Sequence, residues 1–247
     1  EPGAPRGEIR ALARTAAGTV WVGAQSPARI WRRDSADDAF RAMALPPDID
    51  AVRAIAADER TLWVGTASGL FVRTGEGPWR RYGVPEGLPG QDVRALFLGP
   101  GGTVWIGTSQ GLATWRDEAV ATLWTGDEVH AIEASTEGTV FVATEHQGLR
   151  AWREGALRAT TPPWSFDPTV LALLRAPDGA LLVGTGQGLV MRRAGTFELV
   201  VPGAALPSAR VLALATDHEG NTWLGTDAGG LVLLPAKTMF RTWTPPL

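Results

Sequence analysis

The sequence predicts an all-β protein, a β-propeller of six four-stranded blades, from three observations. A segment of the form Gly-Thr-Val-Trp-Ile-Gly-Thr, seen at 102–108, occurs in six variants along the 247 residues. Its anchor residue recurs after 42, 42, 36, 41 and 41 residues, a spacing typical of propeller blades. Apolar stretches of strand length alternate with turn residues within each repeat, as in consecutive antiparallel strands. The anchors are Trp21, Trp63, Trp105, Phe141, Leu182 and Trp223.

The third repeat is the clearest example of a predicted blade. We expect strands at 92–98, 103–108, 111–116 and 119–124, with a glycine-rich turn at 99–102. The chain as a whole is expected to form a single domain, 1–247, because no blade can bury both of its faces alone. The alternative is a seven-bladed propeller with one blade missing or degenerate. The blades are predicted at about 8–43, 50–82, 91–124, 128–160, 169–201 and 210–243.

Two residue types are expected to build the contacts between blades. The tryptophan anchors are interpreted as core residues, since large aromatic side chains at a fixed place in a repeat dominate burial. The glycine near the end of each second strand is expected where an aromatic side chain of a neighbouring blade approaches the backbone closely. These glycines are Gly65, Gly107, Gly184 and Gly225.

Two stretches resemble a known repeat family. The segments 87–115 and 205–234 follow the pattern Val-x-Ala-Leu, Asp-x-x-Gly-x-x-Trp-x-Gly-Thr and Gly-Leu, introduced by Leu-Pro. This pattern is similar to the two-component regulator propeller repeat. The resemblance implies a sensor region of a bacterial histidine kinase or related signalling protein, which would be periplasmic or extracellular. That family usually forms seven-bladed propellers, whereas six units are found in this chain.

Composition excludes several classes of partner. The formal net charge of −3 and the pI near 5.7 provide no basic surplus for nucleic acid. No apolar run approaches the roughly 20 residues of a membrane span. The absence of cysteine excludes disulfides and thiolate metal sites. The remaining partners are a small polar or anionic ligand or another protein domain, and the sequence leaves the oligomeric state open.

One position of the first strand differs between the repeats and carries positive charge in several of them. Three guanidinium groups cannot be buried without anions. Either neighbouring acids pair with them, namely Asp50, Asp92, Asp127 and Glu128, or the site binds a carboxylate, sulfate or phosphate. The residues at this position that we predict to bind a ligand are Arg10, Arg53, Arg94 and His130.

Two further groups of residues are candidates for ligand binding. Polar side chains after the second strands can offer hydrogen bonds to a sugar, or can be ordinary solvated turn residues. A proline-rich loop carries Trp164 and Phe166, which either stack on a ligand or partner or pack onto the neighbouring blades. The candidates after the second strands are Gln25, Ser68, Gln110, His146, Gln187 and Asp227.

The sequence contains no established catalytic, cofactor or metal-binding motif. His130, Glu145 and His146 form one metal-like group, but their spacing matches no known ligand motif. The leading hypothesis is therefore a non-enzymatic binding propeller without cofactor or metal. The alternatives are a carbohydrate or lactone lyase or hydrolase with His130 as base, and a structural propeller whose partner contacts Trp164 and Phe166.

Overall fold

A computed structural model of the protein describes residues 5–160 and 169–236. These residues form six antiparallel sheets, five of four strands and one of three, and confirm the prediction of an all-β propeller with six blades. The end of the predicted sixth blade, 237–243, lies outside the described residues. The chain divides into two compact units, Glu1–Val129 and His130–Leu247. The interpretation of 1–247 as one domain stays a prediction.

The first unit contains blades one to three, each a sheet in which consecutive strands pair. Two single turns of 3-10 helix, Val84–Glu86 and Pro100–Gly102, lie within it. Blade one consists of β1 (Ile9–Arg14), β2 (Val20–Ala24), β3 (Arg29–Arg33) and β4 (Arg41–Met43). Blade two consists of β5 (Val52–Ala57), β6 (Thr61–Thr66), β7 (Gly69–Thr74) and β8 (Arg80–Tyr82). Blade three consists of β9 (Val93–Leu98), β10 (Val104–Thr108), β11 (Gly111–Arg116) and β12 (Ala119–Thr125).

The second unit contains blades four to six, again with consecutive strands paired. One turn of 3-10 helix, Gly203–Ala205, precedes the last blade. Blade four consists of β13 (Val129–Ala134), β14 (Val140–Thr144), β15 (Leu149–Arg153) and β16 (Ala156–Ala159). Blade five consists of β17 (Val170–Arg175), β18 (Leu181–Thr185), β19 (Gly188–Arg193) and β20 (Thr196–Pro202). The described strands of blade six are β21 (Val211–Thr216), β22 (Thr222–Thr226) and β23 (Leu231–Leu234).

The hydrophobic core lies between neighbouring blades, as the apolar character of both strand faces predicts. Between blades two and three, Trp63 is 2% exposed and meets Trp115 edge to face, with ring centroids 5.4 Å apart. The same cluster includes Val93 and Ile106, both fully buried. In the second unit, Phe141 of blade four packs with Leu181 and its neighbours in blade five. The anchors Trp21, Trp63, Phe141 and Leu182 are therefore core residues, whereas Trp105 and Trp223 are partly exposed, so the prediction of a core role is wrong for these two.

The repeated glycine has the predicted close approach in three of the four named positions, but its neighbour is valine and not an aromatic residue. The exception is Gly225, whose nearest neighbour among the described residues is Ala213 of its own blade at 3.3 Å. A Cβ atom placed on Gly107 would lie 2.5 Å from Cγ1 of Val129, the first residue of the next blade's first strand. Gly65 faces Val93 in the same way, and Gly184 faces Val211. The expectation of an aromatic neighbour was wrong because a first strand, and not a tryptophan-bearing second strand, lies against this glycine.

The threonine that follows the glycine fixes the turn between the second and third strands. In blade three, the Thr108 hydroxyl donates to the carbonyl of Gly111 at 3.1 Å and accepts from the backbone N–H of Gln110 at 3.2 Å. This pair of hydrogen bonds ties the buried hydroxyl to the backbone on both sides of the turn. The hydroxyl donates equivalently in four other blades, from Thr66, Thr144, Thr185 and Thr226.

Replacement of this threonine by valine is expected to destabilise the protein. Thr108 is fully buried, so Thr108→Val keeps the shape but removes the hydrogen bond that the hydroxyl donates to the carbonyl of Gly111 and the one that it accepts from the N–H of Gln110. We expect a loss of about 2 kcal/mol in the free energy of unfolding, measured by urea denaturation. Thr108→Ser keeps the hydroxyl and should lose less. Equal stability of the valine and serine variants would contradict this role.

The aspartate and tryptophan of the repeat motif are joined by a hydrogen bond in blade six. Trp223 Nε1 donates to Asp217 Oδ2 at 3.0 Å, and the Asn221 side chain donates to the same oxygen at 2.9 Å. The hydrogen bonds from Asn221 and Trp223 hold the pKa of Asp217 below its ordinary value. The motif therefore encodes the turn between first and second strands.

Candidate functional site

The first-strand position chosen from the sequence is a β-bulge. In the five blades for which pairing of first and second strands is described, the register skips one residue, so that this residue has no partner on the second strand. Bulges of this kind redirect a side chain and are frequent beside functional sites. No local sequence signal identified them. The skipped residues are Arg10, Arg53, Arg94, Leu171 and Leu212, and His130 is the corresponding residue of β13.

Two bulge arginines of the first unit belong to one chain of ion pairs. Arg53 Nε lies 2.7 Å from Asp92 Oδ1, and Arg94 Nε donates to Asp92 Oδ2 at 3.0 Å. Arg94 also pairs through Nη1 with Glu128. The four side chains are between 20% and 33% exposed, so the pairs are partly screened by water. The chain joins the first strands of blades two and three to the residue before β13.

The contact between Arg53 and Asp92 is an ion pair without a hydrogen bond. Within the described residues, the buried Nε of Arg53 and the buried Oδ1 of Asp92 have no hydrogen-bond partner. Charge attraction therefore holds the pair while a donor and an acceptor remain unused.

The acids predicted from the sequence have different roles. Asp92 and Glu128 pair with arginines, as one interpretation proposed. Asp50 instead accepts from the N–H of Ala51 at 2.8 Å. Arg10 pairs with Glu8, with Nη2 and Oε1 2.7 Å apart, an acid that sequence reasoning did not consider.

His130 of the second unit lies beside a carboxylate. Its Nε2 is 2.5 Å from Oε2 of Glu145, which comes from the turn after β14. The His130 side chain is 18% exposed and that of Glu145 31%. This hydrogen bond orients the imidazole ring.

The candidates after the second strands fall into two groups. Ser68 donates its hydroxyl to the carbonyl of Asp48 at 3.0 Å, and Asp227 accepts from Ser208. The side chains of Ser68 and Asp227 therefore already form hydrogen bonds within the protein. The others are partly or fully exposed at turns, namely Gln25, Gln110, His146 and Gln187.

The remaining predictions concern Trp164 and Phe166, metal binding and membrane spans. Trp164 and Phe166 lie outside the described residues, so both interpretations of their loop stay predictions. Within 5–160 and 169–236, no group of three or more histidine or acidic side chains is arranged to hold a metal ion. No helix among the described residues has the length and hydropathy of a membrane span.

The sequence was compared with known families and curated proteins. The family model that matches is described as two component regulator propeller, and it covers residues 87–110 and 205–228. These are the glycine-rich stretches of blades three and six. A search of curated protein sequences found no significant match.

The fold is similar to that of several solved structures. One is the extracellular domain of BT3049 from B. thetaiotaomicron, assigned to a hybrid two component system, with a TM-score of 0.76 and 17% identity over 92% of this chain and 33% of that one. The extracellular domain of BT4673, assigned to a one component system of the same organism, has a TM-score of 0.72 and 17% identity. The match covers 94% of this chain and 39% of that one. This chain thus spans between a third and two fifths of these domains. Virginiamycin B lyase from Staphylococcus aureus has a TM-score of 0.73 and 15% identity, over 92% of this chain and 84% of that one. At these identities the likeness shows the fold alone.

Proposed function

Because this chain carries two repeats of the two-component regulator propeller family, we propose that it is a non-enzymatic sensor propeller that binds a small polar or anionic ligand. The ligand site is the pair of bulge arginines Arg53 and Arg94. The protein acts in the periplasm or outside the cell, in line with the extracellular domains that it resembles. The signal that ligand binding produces is passed to another protein domain.

The observation that carries this proposal is the coincidence of bulge, charge and variation at one position. A purely structural position would be filled similarly in each blade, as the buried glycine and threonine are. The bulge position instead holds arginine in three blades and leucine in two. Variation on a constant scaffold is how loops and bulges acquire binding specificity.

The proposed binding step is an exchange of partners. A ligand carboxylate offers two oxygens to the guanidinium groups of Arg53 and Arg94 and takes the place of Asp92. The cost of separating the existing pairs is modest because all members are partly solvated. Guanidinium groups bind planar carboxylates in a bidentate manner, so the exchange favours acidic sugars and organic acids.

Removal of the two arginines is expected to abolish this binding. The measurement is isothermal titration of the protein with a panel of acidic sugars and organic acids. For any member that binds, Arg53→Ala combined with Arg94→Ala should weaken affinity at least tenfold, since two charge-assisted hydrogen-bonding groups are lost. Arg80→Ala is the matched control, because Arg80 forms an exposed ion pair with Glu118 in the same unit, away from the bulges.

Two results would overturn the proposal. The first is a panel in which no member binds. The second is binding that is equally strong in the double variant and in Arg80→Ala. Circular dichroism of both variants establishes that they are folded.

A second candidate function is that of a lyase or hydrolase, favoured by the contact between His130 and Glu145. A carboxylate that orients an imidazole ring is a common arrangement for a general base. One structural neighbour is a lyase, virginiamycin B lyase. Turnover of polyuronides or lactones that disappears in His130→Ala and persists in His146→Ala would support this candidate. No turnover of any member of the panel would exclude it for these substrate classes.

A further inference from the structure

A cavity of about 460 Å³ lies in the second unit at the other end of the strands from the bulges. It is formed between blades four and five, by the turn after β13 and the hairpin between β19 and β20. Phe141 and Leu181, both nearly fully buried, form its apolar floor. None of the ligand-binding residues predicted from the sequence lines it. Its volume is within the range of small-molecule sites.

The cavity has an excess of positive charge. Arg153, Arg175 and Arg192 line it, and among the described residues of the lining they face one acid, Glu137. Glu133 does not line the cavity but interacts electrostatically with Arg175. In the part of the chain that the structure describes, none of these arginines forms an ion pair with a carboxylate. Concave sites with one sign of charge concentrate ions of the opposite sign.

Arg192 is held in place with an unused donor. Its guanidinium carbon lies 4.9 Å from the ring centroid of Phe141 and 5.8 Å from that of Phe197. Its Nε is buried and has no hydrogen-bond partner among the described residues. Burial, and next the positive charge of Arg153, lower the pKa of Arg192. The negative charge of a bound anion would oppose both effects.

The corresponding place between blades one and two provides an internal comparison. Arg73 pairs in register with Leu62 on the second strand, as Arg192 pairs with Leu181. Arg73, however, donates through Nε to the carbonyl of Gly77 at 3.0 Å and through Nη2 to Glu76 at 2.9 Å. The cavity there is about 120 Å³, and three acids balance its three arginines. The smaller cavity, between blades one and two, therefore has balanced charge, and the hydrogen bonds of its Arg73 are made within the protein.

We propose that the cavity between blades four and five is a second ligand site, which binds an oxyanion. The group is a carboxylate, sulfate or phosphate, bound by Arg192 with Arg153 and Arg175. Each of these groups presents several oxygens to guanidinium donors. The oxyanion is either a free inorganic ion or the acidic group of a small organic molecule. The site is separate from the bulge arginines and does not depend on the function proposed for them.

The test is isothermal titration with sodium sulfate, sodium phosphate and sodium glucuronate at constant ionic strength. The protein carries Arg53→Ala and Arg94→Ala throughout, so that the first proposed site does not contribute. We expect at least one ligand to bind, and Arg192→Met to weaken it at least tenfold, because methionine keeps the contact with the phenylalanine rings and removes the charge. Arg73→Met is the matched control and should leave affinity unchanged.

The outcomes separate the sources of the anion. Binding of sulfate or phosphate supports a site for a free ion, and binding of glucuronate alone supports an acidic organic ligand. Arg175→Gln, an exposed substitution, should also weaken binding and protects the test against misfolding of the Arg192 variant. Absence of binding by all three ligands would overturn the proposal. Affinity unchanged in both Arg192→Met and Arg175→Gln would overturn it as well.

Discussion

Trp63→Ala is expected to lower the free energy of unfolding by about 4 kcal/mol, as measured by urea denaturation. Trp63 is 2% exposed and fills the space between blades two and three. Its edge-to-face contact with Trp115 would be lost together with the buried area. The cavity left behind has rigid strand backbones around it, so the structure can relax only partly. A loss of this size is a large share of the 5–15 kcal/mol that stabilises a typical domain.

Trp63→Phe distinguishes packing from hydrogen bonding. The Trp63 Nε1 has no hydrogen-bond partner within the described residues, so phenylalanine removes apolar volume but no hydrogen bond. We expect a loss of roughly 1–2 kcal/mol. A phenylalanine variant as unstable as the alanine variant would contradict the interpretation that Trp63 stabilises the protein by packing.

Gly107→Val is expected to lower the free energy of unfolding by roughly 3 kcal/mol. A Cβ on Gly107 would lie 2.5 Å from Cγ1 of Val129 and 3.0 Å from the Cβ of Ala95. Both neighbours belong to first strands whose backbones are fixed by pairing, so neither can move away cheaply. Valine adds two further methyl groups to this contact. Thermal and urea unfolding both measure the effect.

Gly107→Ala and Ala121→Val are the controls for this steric interpretation. Gly107→Ala should lie between wild type and valine, because the cost grows with side-chain size. Ala121 is exposed on β12, so Ala121→Val should change stability by less than about 0.5 kcal/mol. A stable Gly107→Val variant would mean that the blades are not held at the separation that the glycine sets.

The blades were predictable from the sequence because their geometry is encoded locally and six times. Glycine at a close approach and threonine at a turn repeat wherever the backbone repeats, so Gly107 and Thr108 identify a second strand without knowledge of its neighbours. The partner of the glycine was not predictable in this way. Val129 reaches Gly107 only through the packing of one blade on the next, which no local pattern records.

The candidate site was predictable in part, for the same reason. Asp92 stands 39 residues beyond Arg53, yet aligned repeats placed both near the start of a first strand and suggested their pairing. The bulge at Arg53 and Arg94 arises from the register of two strands and has no signal in either. The sequence did not indicate Arg192 as a site residue, because a charged residue near the end of a third strand is usually solvated. Arg192 is a candidate because the hairpin between β19 and β20 has no acidic residue to pair with it.

Asp92→Asn tests the exchange of partners at the bulge arginines most directly. Asparagine keeps the shape of Asp92 but removes the charge that competes with a ligand for Arg53 and Arg94. Titration of an anionic ligand that binds wild type should therefore give tighter binding in Asp92→Asn, and binding at least tenfold weaker in Arg53→Ala with Arg94→Ala. If the arginines and Asp92 served only as a structural ion-pair chain, affinity would be the same in all three proteins, and that result would contradict the proposed sensor site.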